Sequence, residues 1–266
     1  MPLLEVLICT IDDGIVRVKD VLTDPTEDVC YLVSWQKSGK PCGVCPQELR
    51  ERQDVRIVEL EGKGLSANRN NAIKHAKGDI LLISDDDTRY NKEYFDHILK
   101  AFERYPEADI LTFQAEDYEG NLIKNYPTLS CDYVNRQYGS YIRSWEIAMR
   151  RSDRLPNFDE RFGLGSDYLE CGEEEVFIHE ACQNRLHIRY IPEVIVRTDS
   201  SSTGKRFLCS EGVQRAKGGV LCVMHGRWSA SLRCLKYAAT LPSNTQRVKI
   251  LMNMWRGICY IQRTQR

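Results

Sequence analysis

The stretch LLISDDDTRY, residues 81–90, joins a short apolar run to three consecutive acids, Asp85, Asp86 and Asp87. An apolar run of this length, bounded by polar residues, is typical of a strand that is buried on both faces. Three adjacent carboxylates repel one another, so positive charge or water must make them tolerable. The stretch therefore predicts a buried strand with a polar site at its carboxyl end.

Apolar runs and amphipathic segments alternate around this strand. Strands are predicted at residues 4–9, 30–34, 55–60, 79–84 and 108–115. Helices are predicted at 64–78 and 91–106, the second with Asn91 as its N-cap. This order predicts an α/β fold with a mixed, mainly parallel sheet flanked by helices. Such sheets bind ligands at the carboxyl ends of their strands, where the three acids lie.

The pattern is looser after residue 116. Further strands are predicted within 140–153 and 186–198, and helices at 228–240 and 245–263. The simplest division is a main α/β domain at 1–206 and a basic helical extension at 207–266.

Composition excludes some classes of protein. The chain has 266 residues, of which 42% are hydrophobic and 28% charged, as in ordinary globular proteins. No apolar run reaches the roughly 18 residues of a membrane-spanning helix. The start, MPLLEVLICT, lacks a basic region and a cleavage site, so no signal peptide is expected. We therefore expect a cytoplasmic protein.

Charge is unevenly distributed along the chain. Residues 205–266 contain twelve Lys and Arg but one acid, Glu211, so the net charge of −1 combines a segment at +11 with a remainder at −12. A basic segment on an acidic body indicates a surface for an anionic partner. Two interpretations stay open: the segment docks on the acidic body, or it makes peripheral contact with an anionic membrane at the inner face. No nucleic-acid partner is expected.

The three acids allow three readings. They could form a solvated loop that caps the next helix. A calcium loop starting at Asp85 would need an oxygen ligand, a glycine and a glutamate where the chain has Arg89, Tyr90 and Asp96. The third reading is a Mg²⁺ or Mn²⁺ site for a diphosphate, since these ions combine few carboxylates with substrate phosphates. No glycine-rich phosphate loop is present, so Lys or Arg must supply further positive charge, and Lys63 and Arg69 precede the acids.

A second acidic triplet, Glu173, Glu174 and Glu175, follows Gly172. By itself it is typical of a helix N-terminus that faces solvent. Together with the first triplet it would supply a carboxylate base to a transfer reaction in which a cation stabilises the leaving diphosphate.

In these features the sequence resembles family-2 glycosyltransferases, which have the GT-A fold, over roughly residues 3–225. Four blocks carry the resemblance: EVLICTIDD (5–13), GKGLSANRNNAIKHAKGDILLISDDD (62–87), FDERFG with GEEE (158–163 and 172–175), and PEVIVRTDSSSTG with AKGG (192–204 and 216–219). Each block alone is a weak signal, and their order and spacing make the resemblance specific.

The resemblance implies roles for individual residues. Thr10 and Asp12 match the turn that contacts the base and ribose, and Arg69 matches the nucleotide-binding arginine. Asp85 matches the acid on the ribose side, and Asp87 the metal-binding acid.

For three further acids the family pattern assigns a role less directly. Asp86 lies between Asp85 and Asp87 and could assist either of them. Glu174 matches the catalytic base, with Glu173 before it where relatives usually have Asp.

The sequence departs from the family pattern at two places. Relatives often have an acid after the second strand, where this chain has Trp35, which would either stack on the base or fill the core. Relatives often have a metal-binding His where Thr198 stands, so Asp199 is the candidate substitute ligand.

The implied function is a Mg²⁺- or Mn²⁺-dependent inverting glycosyltransferase of glycan biosynthesis, bacterial polysaccharide type. It would move a sugar from a nucleotide-diphosphate donor to a glycan or lipid-linked acceptor, with Glu174 as the base. A sugar nucleotidyltransferase is the alternative enzyme, although the turn CTIDDGIVRV (9–18) has one glycine where such enzymes are usually glycine-rich. A non-catalytic nucleotide-sugar-binding protein is the third possibility, and the presence of both acidic triplets argues against it.

Overall fold

The computed structural model describes residues 2–40, 43–133, 141–199, 206–242 and 245–264. The chain divides into two compact units, which we call the sheet unit and the helical unit. The sheet unit comprises residues 1–63, 67–157 and 180–200, and the helical unit comprises 64–66, 158–179 and 201–266.

The described residues form eight strands and six α-helices. The strands are β1 (Leu4–Ile11), β2 (Val29–Lys37), β3 (Val55–Glu61), β4 (Ile80–Asp85), β5 (Ile110–Glu116), β6 (Cys131–Asp132), β7 (Ile147–Arg150) and β8 (Ile188–Arg197). The helices are α1 (Gln47–Glu51), α2 (Leu65–His75), α3 (Lys92–Arg104), α4 (Glu173–Gln183), α5 (Glu211–Thr240) and α6 (Arg247–Arg263). Two 3₁₀ helices lie at Asp12–Asp20 and Ser144–Glu146.

The strands form one sheet in the order β3-β2-β1-β4-β7-β5-β8-β6. Strand β1 pairs in parallel with both β2 and β4, and β2 pairs in parallel with β3. Strand β7 is inserted antiparallel between β4 and β5, whereas β5 and β8 are parallel. The predicted α/β fold with a mixed, mainly parallel sheet is therefore confirmed.

Local sequence explains the elements next to the acids. Strand β4 is buried from Ile80 to Ser84, as its apolar run predicts. Helix α3 begins after Asn91, whose side chain accepts a 2.9 Å hydrogen bond from the Tyr94 backbone N–H, so the predicted N-cap is confirmed. The apolar face predicted for this helix is buried, namely Tyr94, Phe95, Ile98, Leu99 and Phe102.

Two predicted elements differ from the structure. The strand expected within 140–153 is only β7, because a 3₁₀ turn at Ser144–Glu146 precedes it. The helix expected at 228–240 is the second half of α5, which begins at Glu211. The first half escaped prediction because AKGG, residues 216–219, reads as a helix breaker. Residue 140 of the first segment lies outside the described residues, as do residues 200–204 of the block PEVIVRTDSSSTG.

In the helical unit, α5 is interrupted at Gly226, whose φ is 74°. The Lys217 ammonium lies 5.7 Å from the centre of the Tyr237 ring. In a straight helix residues so far apart would be separated by ~30 Å, so the second half of α5 folds back along the first. Gly218 and Gly257 let α5 and α6 pack backbone to backbone, since an added Cβ at either would lie 1.9 Å from a carbonyl oxygen of the other helix.

The hydrophobic core of the helical unit contains residues from α5 and α6. Its members include Ala230, Cys234, Ala238, Ile250, Met254 and Ile258. No helix within the described ranges is long and apolar enough to cross a membrane.

Candidate active site

The first acidic triplet lies at the carboxyl edge of the parallel part of the sheet. The β1–β4 register pairs Cys9 with Asp85, so Thr10 and the residues after Asp85 emerge at the same edge. This is the position that the sequence predicts for a ligand site.

Asp86 is held on both sides of its carboxylate. Its Oδ2 accepts a 2.5 Å hydrogen bond from the Thr10 hydroxyl, and its Oδ1 accepts bonds of 2.7 and 3.2 Å from the Arg17 guanidinium. The side chain of Asp86 is only 10% exposed, whereas that of Arg17 is 54% exposed. A Cβ at Gly14 would lie 2.3 Å from Asp86 Oδ2, so the turn after β1 has no room for a larger residue. Both carboxylate oxygens of Asp86 are therefore hydrogen-bonded within the protein.

Asp85 faces Arg69 on α2. The Arg69 Nη2 lies 3.4 Å from Asp85 Oδ1 and donates a 2.7 Å hydrogen bond to the Ser144 hydroxyl. Burial raises the pKa of Asp85, and the Asp86 charge adds to this, while Arg69 opposes it. Arg69 itself is buried, so it presents a fixed positive charge beside this acid.

Asp87 is the exposed member of the triplet. Its backbone carbonyl accepts a 3.1 Å hydrogen bond from the Tyr118 hydroxyl. Desolvation of the carboxylate, followed by the charges of Asp85 and Asp86, raises the pKa of Asp87. A carboxylate in such surroundings gains from an added cation.

The turn after β1 positions Asp12 in a left-handed conformation, with φ of 47°, which Asp tolerates better than most residues. Its carboxylate accepts hydrogen bonds from the Ser38 backbone N–H (2.8 Å) and hydroxyl (2.6 Å), and these hold the pKa of Asp12 below its usual range. Thr10 is fixed in a similar way, since its carbonyl accepts a 2.9 Å bond from the Asn68 side chain.

Trp35 is buried in the core of the sheet unit. Its indole N–H donates a 2.9 Å hydrogen bond to the Asp12 carbonyl, and the Lys37 ammonium lies 4.6 Å from its ring centre. The structure therefore assigns Trp35 a packing and positioning role for Asp12. Contact of this ring with a base stays a prediction.

Asp199 follows β8 and is exposed. The backbones of Arg89 and Arg197 form an antiparallel bridge with N–H···O distances of 2.8 and 2.9 Å. Asp87 precedes Arg89 by two residues and Asp199 follows Arg197 by two, so both acids leave the bridge at the same end. Lys63, also exposed, lies between β3 and α2.

These residues fit a cation that takes few protein ligands. Across the part of the chain that the structure describes, no group of three or more His, Cys, Asp or Glu side chains is assembled as a metal site. A Mg²⁺ or Mn²⁺ that binds with a nucleotide needs one or two carboxylates, because phosphate oxygens and water complete its shell. Asp87 can provide one carboxylate and Asp199 a second, whereas both oxygens of Asp86 are engaged.

The second acidic triplet opens α4 in the helical unit. Gly172 precedes it with φ of 94°, and a Cβ there would lie 2.4 Å from Val220. Glu173 is buried, whereas Glu174 and Glu175 are partly exposed. The prediction that this triplet starts a helix is confirmed, and the helix N-terminus favours its negative charge.

Sequence reasoning missed four polar residues that hold the site together: Arg17, Ser38, Asn68 and Ser144. Asn68 lies beside Arg69 in the motif ANRN and could have been found there. Arg17, Ser38 and Ser144 carry no local signal, since their contacts depend on residues 26 to 75 positions away.

Comparison with known proteins identifies part of the chain. The model of the family described as glycosyl transferase family 2 matches residues 44–160. The match includes Lys63, Arg69 and the first triplet, and it leaves out β1 and the second triplet. No curated protein matched the chain.

Solved structures with the same fold include TarS of S. aureus. TarS residues 1–349 superpose with a TM-score of 0.62 at 16% identity, covering 99% of this chain and 92% of that one. The complex of the same TarS fragment with UDP-GlcNAc gives 0.61 at 15% identity, and the complex with UDP gives 0.58 at 15%, both with the same coverage. Identities this low show a shared fold. The match of the family 2 model to residues 44–160, together with the GT-A fold shared with TarS, supports glycosyltransferase activity.

Proposed function

We propose that the chain transfers a sugar from a nucleotide-diphosphate donor to a hydroxyl of a glycan or lipid-linked acceptor, with a divalent cation and with inversion at the anomeric carbon. The observation that carries this proposal is that Asp86 and Asp87 of the first triplet differ in their contacts. The carboxylate of Asp86 is bonded to Thr10 and Arg17, whereas Asp87 is an exposed residue whose carboxylate is partly desolvated and lies near the negative charges of Asp85 and Asp86. Such a carboxylate suits a cation that accompanies a diphosphate.

A uridine diphosphate sugar is the first donor to test. TarS, whose fold this chain shares, was solved with UDP and with UDP-GlcNAc. In this chain Asp12 and Thr10 would face the nucleoside, and Arg69, buried beside Asp85, would supply positive charge. Lys63 is exposed and would add charge near the phosphates.

The cation would be held by Asp87, with Asp199 as the second carboxylate, and Asp85 on the ribose side. When bound, it supplies positive charge to the departing diphosphate. The carboxylates themselves do no proton transfer in this scheme. They fix where the donor's charged group sits, and Arg69 keeps Asp85 oriented.

The base would be Glu174 at the start of α4. Its carboxylate takes the proton of the acceptor hydroxyl as that oxygen attacks the anomeric carbon. The bond from this carbon to the diphosphate oxygen breaks, and the electron pair leaves with the diphosphate. Glu173 is the neighbouring candidate, although its burial leaves it less accessible than Glu174.

The acceptor class follows from the same resemblance. Acceptors of bacterial-type polysaccharide assembly are often lipid-linked, so the protein would act in the cytoplasm, at or near the inner face of the membrane. Residues 205–266, with their net charge of +11, are compatible with that place of action.

The test is incubation with a panel of nucleotide sugars in Mn²⁺, Mg²⁺ or EDTA, with analysis of the released product. We expect release of a nucleoside diphosphate, strongest with one donor and suppressed by EDTA. Release of pyrophosphate would show nucleotidyl transfer instead, and donor binding without turnover would show a binding protein. The matched variants are Asp87→Ala and Asp153→Ala, because Asp153 is an exposed aspartate outside the site.

A further inference from the structure

The second half of α5 exposes large apolar side chains along one face. Trp228 is 79% exposed, Leu232 70% and Leu235 51%. Their spacing of four and three residues places them on the same side of the helix. The buried residues Ala230 and Cys234 occupy a different face, so the exposed row contributes nothing to the core.

Helix α6 repeats this arrangement. Val248 is 72% exposed, Met252 49% and Trp255 42%, again at spacings of four and three. Its core face is made by other residues, including Ile250, Met254 and Ile258. Each helix is therefore apolar on two sides, and one side of each is left in water. Rows of large apolar side chains left in water mark a contact site more often than single exposed residues do.

The charges beside these rows are positive. Lys249, Arg256 and Arg263 follow one another at seven-residue spacing on α6, next to its exposed apolar row. Arg233 and Lys236 are exposed on α5. From residue 212 to the end of the sequence there is no acid, and the nearest, Glu211, already pairs with Lys249 at 2.9 Å.

We propose that this surface, defined by the two exposed apolar rows and their basic neighbours, docks on an anionic lipid bilayer. Apolar and tryptophan side chains enter the boundary of head groups and acyl chains, while adjacent Lys and Arg attract anionic lipids. A second copy of the chain fits less well, because two such surfaces would bring like charges together. Docking lies beyond the transfer reaction and does not depend on it.

Vesicle sedimentation tests the proposal. The full chain should sediment with vesicles that mix phosphatidylcholine with anionic phosphatidylglycerol, and it should stay in solution with phosphatidylcholine alone. Raising salt from about 0.1 M to about 1 M shortens the Debye length from about 10 Å to about 3 Å and should release it. Of the four tryptophans, Trp35 and Trp145 are buried, so a blue shift of fluorescence on binding would report Trp228 and Trp255.

Two pairs of variants separate the apolar and charged contributions. Trp228→Ser with Leu232→Ser should lower vesicle affinity at least about tenfold, and Arg233→Gln with Lys236→Gln about fivefold for each charge removed. The controls are Leu129→Ser, which removes an exposed leucine of the sheet unit, and Lys74→Gln with Lys100→Gln, which removes two exposed lysines there. Both controls should bind as wild type does, and all variants should keep donor turnover in solution.

Equal sedimentation with neutral and anionic vesicles, or none with either, would overturn the proposal. So would a dimer detected by light scattering that the Trp228 and Leu232 variant abolishes, because it would assign the surface to a second copy. An enzyme inactive toward every donor in the panel would leave the vesicle result unchanged, so the two proposals fail independently.

Discussion

The two acidic triplets meet the same electrostatic problem by different means. Asp85–Asp87 follows a strand, and its charge is partly balanced by Arg17 on Asp86 and by Arg69 beside Asp85. Glu173–Glu175 opens a helix, whose free N–H groups and dipole favour negative charge there. The helix N-terminus therefore contributes to stabilising the second triplet, whereas the first triplet lies at a strand end and is paired with arginines from other parts of the chain.

This difference bears on function. A triplet at a helix N-terminus is stabilised by backbone dipoles, which lowers what it gains from an added metal ion. A triplet that is only partly neutralised has affinity left for a further cation. The comparison therefore favours Asp87 as a metal-binding residue and Glu174 as the base.

The largest expected effect is that of Asp87→Ala on turnover. We expect donor turnover to fall by at least about 10²-fold, because the diphosphate would lose its main charge stabilisation. Steady-state release of nucleoside diphosphate with Mn²⁺ measures it, with circular dichroism to verify the fold. Asp85→Ala should weaken nucleotide binding more mildly, and Asp153→Ala should behave as wild type. Normal metal-dependent turnover in Asp87→Ala would remove the first triplet from the active site.

The next effect concerns the base. Glu174→Gln should lose about 10²–10⁴-fold in transfer while binding the donor as well as wild type, because a base acts only on the acceptor hydroxyl. Transfer kinetics measure the loss of activity, and calorimetric titration with the donor measures whether donor binding is unchanged. If Glu173→Gln loses more transfer than Glu174→Gln at equal stability, the role of base moves to Glu173.

The sequence was informative where the signal is local. The apolar run at 81–84 and the acids after it place a polar site at a strand end, and the β1–β4 register confirms that placement. The N-cap Asn91 and the buried face of α3 were also predicted correctly, because capping and helical periodicity depend on residues a few positions apart. These features predicted the sheet class and the edge that carries the first triplet.

Long-range contacts could not be predicted in the same way. Arg17 reaches Asp86 across 69 residues of sequence, and Arg69 reaches Ser144 across 75. Trp35 illustrates the limit well, since only the folded chain shows that its N–H is bonded to Asp12. The fold-back at Gly226 was missed because a single glycine in a helical pattern does not reveal a reversal.

A third prediction tests the role of Arg17 as a stabilising cation. Arg17→Gln should lower the free energy of unfolding by about 1–2 kcal/mol, because it leaves the buried Asp86 carboxylate with one hydrogen-bond partner fewer and no charge partner. Urea unfolding measures the change. Arg89→Gln is the control, since the Arg89–Asp20 pair is exposed at 3.5 Å and should contribute about 0–1 kcal/mol. Equal small effects would mean that Asp86 does not depend on Arg17.

The smallest effects should have opposite signs in the two triplets. The pKa values of Asp85 and Asp87 are raised in the fold, so the metal-free protein should lose stability as the pH rises from the ordinary carboxyl range through these raised values. Asp87→Asn should therefore stabilise the metal-free protein slightly at neutral pH. Glu175→Gln should destabilise it by about 0.3–1 kcal/mol, since it removes charge from a helix N-terminus.

Thermal unfolding in EDTA at pH 4 to 8 distinguishes the signs. The Asp87→Asn curve should be flatter with pH than the wild-type curve. If Asp87→Asn and Glu175→Gln both destabilise the protein at neutral pH, the two triplets do not differ in the sign of their effect on stability, and the comparison is contradicted.

Binding of Mn²⁺ with and without UDP tests the central claim most directly, with free Mn²⁺ followed by electron paramagnetic resonance. We predict that wild type and Asp153→Asn take up Mn²⁺ more tightly when UDP is present, that UDP likewise binds more tightly with Mn²⁺, and that Asp87→Asn loses this coupling. Uptake should strengthen as the pH rises, because protons compete for the carboxylates. Undiminished Mn²⁺–UDP coupling in Asp87→Asn would contradict the assignment of the first triplet as the metal and donor site.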